Sequence, residues 1–118
     1  MTKIHSYKDL IVWQRAMELV VEVYNVTEKY PHEEMYGLTS QTRRSSVSIP
    51  SNIAEGRLRR SKTDYMYRLS IGYSSGAELE TQLEIAKRLP FGNIIDFSKV
   101  DSLLEEVMKM LNKIINNS

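Results

Sequence analysis

The sequence predicts an all-α protein, a single-domain antiparallel up-down-up-down four-helix bundle. Three observations predict it. Apolar residues recur at intervals of three and four through four segments, about 7–30, 39–55, 62–89 and 98–116. No segment has the strict two-residue alternation of a half-buried strand. The connections are short, so each helix must turn back along the one before it.

The first segment opens with Ser6 and Asp9, the S-x-x-D spacing of an N-terminal capping pair, and closes at Pro31. Its expected core stripe is Leu10, Trp13, Met17, Val20, Val21 and Tyr24. "PHEEMYGL", with Pro31 and Gly37, then makes a loop or a short turn of helix, and Thr39 is the expected N-cap of the second helix. That helix has a thin seam of Leu38, Thr42, Ser45, Ile49 and Ile53. The third starts at Ser61, again with an acid three residues on (Asp64), and stops at "LPFG". It would be roughly 40 Å long at 1.5 Å per residue. Its seam of Tyr65, Leu69, Gly72, Gly76, Leu79, Leu83 and Ala86 is a heptad pattern, and the two glycines on it predict close approach of another helix. A third S-x-x-D pair, Ser98 and Asp101, precedes Val100, Leu103, Leu104, Val107, Leu111, Ile114 and Ile115.

The stretch "SVSIPSNIAEG", residues 46–56, places Pro50 inside the second helix. Proline removes one hydrogen bond and crowds the carbonyl four residues earlier, that of Ser46, so a proline-kinked helix is expected. The hydroxyls of Ser46 and Ser48 are candidate partners for the freed backbone groups. Beyond the kink, Asn52 and Glu55 lie three apart on one face. With Pro50 and Gly56 they are the candidate subunit-contact residues.

Composition narrows the function by exclusion. The chain has no cysteine, which removes disulfides, thiolate zinc sites and cysteine nucleophiles. No apolar run approaches a membrane span, and the start "MTKIHSYKDL" lacks a secretory apolar core, so a cytoplasmic protein is expected. Ser45, Ser46 and Ser48 have no histidine near them in sequence to act as a base. Glu28 and His32 are the nearest approach to a metal-binding pair, Pro31 interrupts them, and His5 stands apart. No enzyme, metal or cofactor is expected.

The charge distribution is more informative. Net charge is +1, yet residues 40–75 carry seven basic side chains against two acidic ones, a local balance of +5. The seven are Arg43, Arg44, Arg57, Arg59, Arg60, Lys62 and Arg68. Arginine suits bidentate contact with phosphate, so these are the candidate nucleic-acid-binding residues. No sequence-reading module accompanies them, and binding driven by charge and shape is expected. The alternative is an interaction scaffold that docks an acidic protein through the same arginines. Tyr65 falls on the third helix's seam; Tyr67 and Tyr73 are candidates for base stacking or for packing at an interface.

"DLIVWQRAMELV" (9–20), "YGLTSQTRRSSVSIPSNIAEG" (36–56) and "SSGAELETQLEIAKRL" (74–89) together resemble the bacterial four-helix-bundle family encoded by intervening sequences of 23S rRNA genes. The resemblance spans essentially the whole chain, and Ser48–Gly56 is its most specific part. The accessory variability proteins of diversity-generating retroelements look like relatives. The resemblance implies a ring-like homopentamer and nucleic-acid binding, to rRNA or another structured nucleic acid, through basic surface residues. In the retroelement relatives it implies support of a reverse transcriptase. Serines at 45 and 46 depart from the usual alanines.

Overall fold

The heptad-spaced seam of the third segment does form a helix. In the structure, a computed structural model that describes residues 6–117, it is one of four helices. These are α1 (Ile11–Thr27), α2 (Ser40–Arg57), α3 (Lys62–Arg88) and α4 (Ser98–Asn116). There is no strand among the described residues. Short 3-10 turns at Tyr7–Asp9, His32–Glu34 and Pro90–Ile94 and a π-type turn at Met35–Thr39 make the connections. The body measures 48 × 25 × 21 Å.

α3 buries Leu69, Gly72, Gly76, Leu79, Leu83 and Ala86, the expected seam, with Tyr65 half-buried at its start. Ser61 caps it, its hydroxyl accepting the Asp64 N–H at 3.1 Å. α4 buries Val100, Leu104, Val107 and Leu111, while Leu103, Ile114 and Ile115 are half-buried against the core. Its expected cap does not form. Asp96 instead accepts the Ser98 N–H at 2.9 Å, and Asp101 is drawn off to Lys87 at 2.7 Å. Hydrogen bonds from the Ser98 hydroxyl and N–H hold the Asp96 carboxyl below its ordinary range.

α1 departs most from expectation. Its buried face is Val12, Ala16, Leu19, Val23 and Val26, one position away from the expected stripe. Met17, Val21 and Tyr24 are 40–59% exposed. Leu10, Trp13 and Val20 are only half-buried. Two adjacent faces of this helix are apolar, and the one with small Ala16 at its centre packs into the core. The helix is also shorter than expected. The Ser6–Asp9 capping box does form, but it closes the Tyr7–Asp9 turn, and Leu10 is extended before α1 begins. At the other end α1 stops at Thr27, whose hydroxyl donates to the Val23 carbonyl at 2.7 Å.

The second helix is entered differently too. Thr39 is helical, 2% exposed and makes no cap bond, because the Met35–Thr39 turn runs straight into α2 after a break at Gly37. α2 then continues as one helix through Pro50 to Arg57. The Ser46 hydroxyl donates to the Arg43 carbonyl at 2.7 Å, and the Ser48 hydroxyl bonds that of Ser75 at 2.8 Å. Both hydroxyls are therefore engaged away from the carbonyl that Pro50 leaves without its helical N–H.

α2 and α3 share a polar ladder. Ser45 donates to Gln82 at 2.6 Å, Ser48 bonds Ser75, and the Asn52 Cβ lies beside Gly72. At the closed end, a Cβ on Gly56 would lie 3.0 Å from both the Arg68 Cβ and the Tyr65 ring. The tight crossing is therefore at Gly56. Gly72 has room for a Cβ, at 3.6 Å from the Ile49 carbonyl, and the neighbour of Gly76 is the side chain of Met108 rather than a helix backbone.

Candidate nucleic-acid interface

The glycine crossing shapes the candidate site. Because Gly56 lets the end of α2 sit against the start of α3, the chain reverses within a few residues. The Leu58 and Arg59 N–H groups bond back to Ala54 and Gly56 at 3.3 and 3.0 Å, and Ser61 swings extended to start α3. Every residue from Arg57 to Asp64 is exposed. Arg57, Arg59, Arg60 and Lys62 therefore project from one short turn, and none forms an ion pair among the described residues.

The other three expected cations are engaged within the chain. Arg68 pairs with Glu55 at 3.2 Å. Arg44 reaches across to Glu78 on α3 at 2.9 Å. Arg43 is the most constrained: its Nε donates to Thr27 Oγ1 at 2.9 Å, it faces Glu28 at 3.5 Å, and its guanidinium lies 4.5 Å above the Tyr24 ring. Arg43 and Arg44 line a groove with Tyr24, Met35 and Val47 at the start of α2, apart from the α2–α3 turn. The seven residues thus divide into an unpaired cluster of four and three local tethers.

The candidates at and after Pro50 are brought together, but not on one open face. Pro50, Asn52 and Gly56 are buried, and Glu55 is exposed and held by Arg68. The Asn52 amide nitrogen donates to the Ser48 carbonyl at 2.8 Å and to its hydroxyl at 3.1 Å, while its Oδ1 is buried without a partner. Glu28, of the weak metal pair, faces Arg43, and His32 is exposed in its 3-10 turn. No grouping of three or more metal-ligating side chains occurs among the described residues, and His5 lies outside them. Among those residues no helix is long and apolar enough to cross a membrane.

Two features escaped sequence reading. One is an apolar belt: Met17 and Val21 line one groove with Leu103 of α4, and Tyr24 lines the next with Met35 and Val47. Its sequence signal was the doubled stripe of α1, where residues 13, 17, 20 and 24 shadow 12, 16, 19 and 23. The other is Leu58, 72% exposed between Arg57 and Arg59.

A family model described as 23S rRNA-intervening sequence protein matches residues 8–113 of the chain. Among solved structures, a protein of unknown function from the S23 ribosomal protein family of Bacteroides thetaiotaomicron VPI-5482 superposes with a TM-score of 0.77. The two are 26% identical, over 90% of this chain and 96% of that one. No curated protein matches the chain.

Proposed function

The chain belongs to the 23S rRNA-intervening sequence protein family, and from that premise we propose that it is a non-enzymatic helical bundle that binds nucleic acid, RNA or an RNA/DNA hybrid, through its phosphates. The observation that carries this reading is the turn after α2, where Arg57, Arg59, Arg60 and Lys62 are exposed and have no acidic partner among the described residues. Four unneutralised cations on one short reversal make a phosphate-binding surface in a molecule of net charge +1. Arg43, Arg44 and Arg68 contribute less, since each must first give up a carboxylate. No base-reading element accompanies the cluster, so binding is largely independent of sequence. The test is anisotropy titration of a structured rRNA fragment with the protein and its Arg57→Ala/Arg59→Ala/Arg60→Ala variant. The variant loses at least tenfold in affinity; equal binding by the two proteins refutes the reading.

The proposal extends to architecture. The helices are ordered up-down-up-down, a reading supported by the pairing of Gly56 with Tyr65, Ser48 with Ser75 and Ser45 with Gln82. Arg15 with Glu106 and Lys99 with Glu22 support the same order for α1 and α4. Copies of the chain assemble into a ring, a pentamer by the resemblance, with the Met17, Val21, Tyr24 and Val47 belt against a neighbouring copy. Neighbouring large apolar side chains left 40–59% exposed support a protein contact. Val21→Glu then shifts sedimentation to the single chain, and an unchanged profile contradicts this assignment of the contact.

A further inference from the structure

The cationic turn carries an apolar component that phosphate binding does not use. Tyr67, one helical turn into α3, is 64% exposed and has no ring or hydrogen-bond partner among the described residues. Side chains on a helix lean towards its N-terminus, which directs Tyr67 back towards the turn that precedes α3. Leu58 projects from that turn between two arginines.

We propose that this end of the bundle takes unpaired bases: Tyr67 stacks on a base while Arg59, Arg60 and Lys62 hold flanking phosphates. The ligand class is single-stranded nucleic acid, or a loop within a structured one, in preference to continuous duplex. The proposal rests on the phosphate-binding reading above and adds a residue and a ligand class to it. The charges around the ring fit it. Asp64 lies three residues before Tyr67 and repels a phosphate from that patch, yet its carboxylate accepts hydrogen bonds from base amino and imino groups. Glu55, near the end of α2, is held by Arg68. Phosphates are thus directed to the turn and a base to the ring. A duplex keeps its bases stacked on one another and offers an exposed side chain no free face, whereas a single strand does. Stacking on an aromatic platform tolerates any base, which agrees with the lack of a sequence-reading element.

The test is anisotropy titration of the full chain with a uridylate strand of about 12 nucleotides and an RNA duplex of equal length, within the usual site size of single-strand binders. The protein prefers the single strand. Tyr67→Ala weakens single-strand binding about tenfold, a typical loss for one stacked base, and leaves duplex binding within about twofold; Tyr67→Phe keeps the preference. A Tyr67→Ala variant that loses both ligands alike, or neither, overturns the stacking role and leaves the phosphate-binding reading standing. A Tyr67→Ala variant with altered sedimentation also overturns it, by assigning the ring to a subunit contact. If the unaltered protein binds neither probe, the phosphate-binding reading fails and this inference fails with it.

Discussion

Tyr30 shows how one buried group sets a pH limit. It is 7% exposed, its ring packs 4.9 Å from that of Phe91, and its hydroxyl is buried without a hydrogen-bond partner. Burial pushes its pKa up to about 12. A raised folded-state pKa means that stability is fully present below pH 10 and is lost as pH climbs from there to about 12, where the loss is complete. Tyr30→Phe removes an unsatisfied hydroxyl, so it stabilises the protein by about 1 kcal/mol at neutral pH and flattens the alkaline loss in denaturant titrations. Two glycines give a contrasting pair. Gly56→Ala forces a Cβ against Arg68 and Tyr65 and costs on the order of 1–3 kcal/mol. Gly72→Ala fits in ordinary contact and gains up to about 1 kcal/mol of helix preference. Thermal melts of both variants check the two signs together.

At the scale of the element, the contact of α2 with α3 carries two side-chain hydrogen bonds, Ser45 to Gln82 and Ser48 with Ser75, beside buried Ile49 and Ile53. Thr42, Ser46 and Asn52 are buried too but bond to Leu38, Arg43 and Ser48, so the ladder consists of the Ser45–Gln82 and Ser48–Ser75 links. Such a ladder fixes register, because a slip leaves buried donors and acceptors unpaired. Ser45 and Gln82, 0% and 6% exposed, are its innermost link. A double-mutant cycle with Ser45→Ala and Gln82→Ala gives a coupling of about 1–2 kcal/mol, and additive effects would dismiss the ladder as a register device. Elements were legible where their pattern was single. The α3 seam could be read directly because its four-and-three spacing runs unbroken from Tyr65 to Ala86, although Tyr67 and Ile85 lie off it. The α1 stripe was displaced by one because Ile11–Val12 and Val20–Val21 put apolar residues on two faces, and only packing chooses between them. The cap at Ser61 was legible, whereas the one at Ser98 was not, since Asp96 and Lys87 compete for its groups from outside the motif.

For the molecule as a whole, charge pairing differs along the bundle. The unpaired cations sit at the α2–α3 turn, whereas in the groove between α3 and α4 further along Lys87 pairs with Glu84 and Asp101 and Lys109 pairs with Glu105. A polyanion approaching this surface is steered to the turn, where the cations are not neutralised. The +5 region was legible in the sequence, but its division into four free and three tethered cations was not. The partners that neutralise Arg44 and Arg68 lie 34 and 13 residues away, distances that only the fold closes. The salt dependence of binding tests the central claim most directly. Titration of a single-stranded RNA across a salt series gives a slope of log affinity against log salt of about −3 per protomer, as four phosphate contacts require. In the Arg57→Ala/Arg59→Ala/Arg60→Ala variant the slope falls to about −1. A slope near zero in the unaltered protein, or the same slope in both, would contradict a phosphate-binding role for this turn.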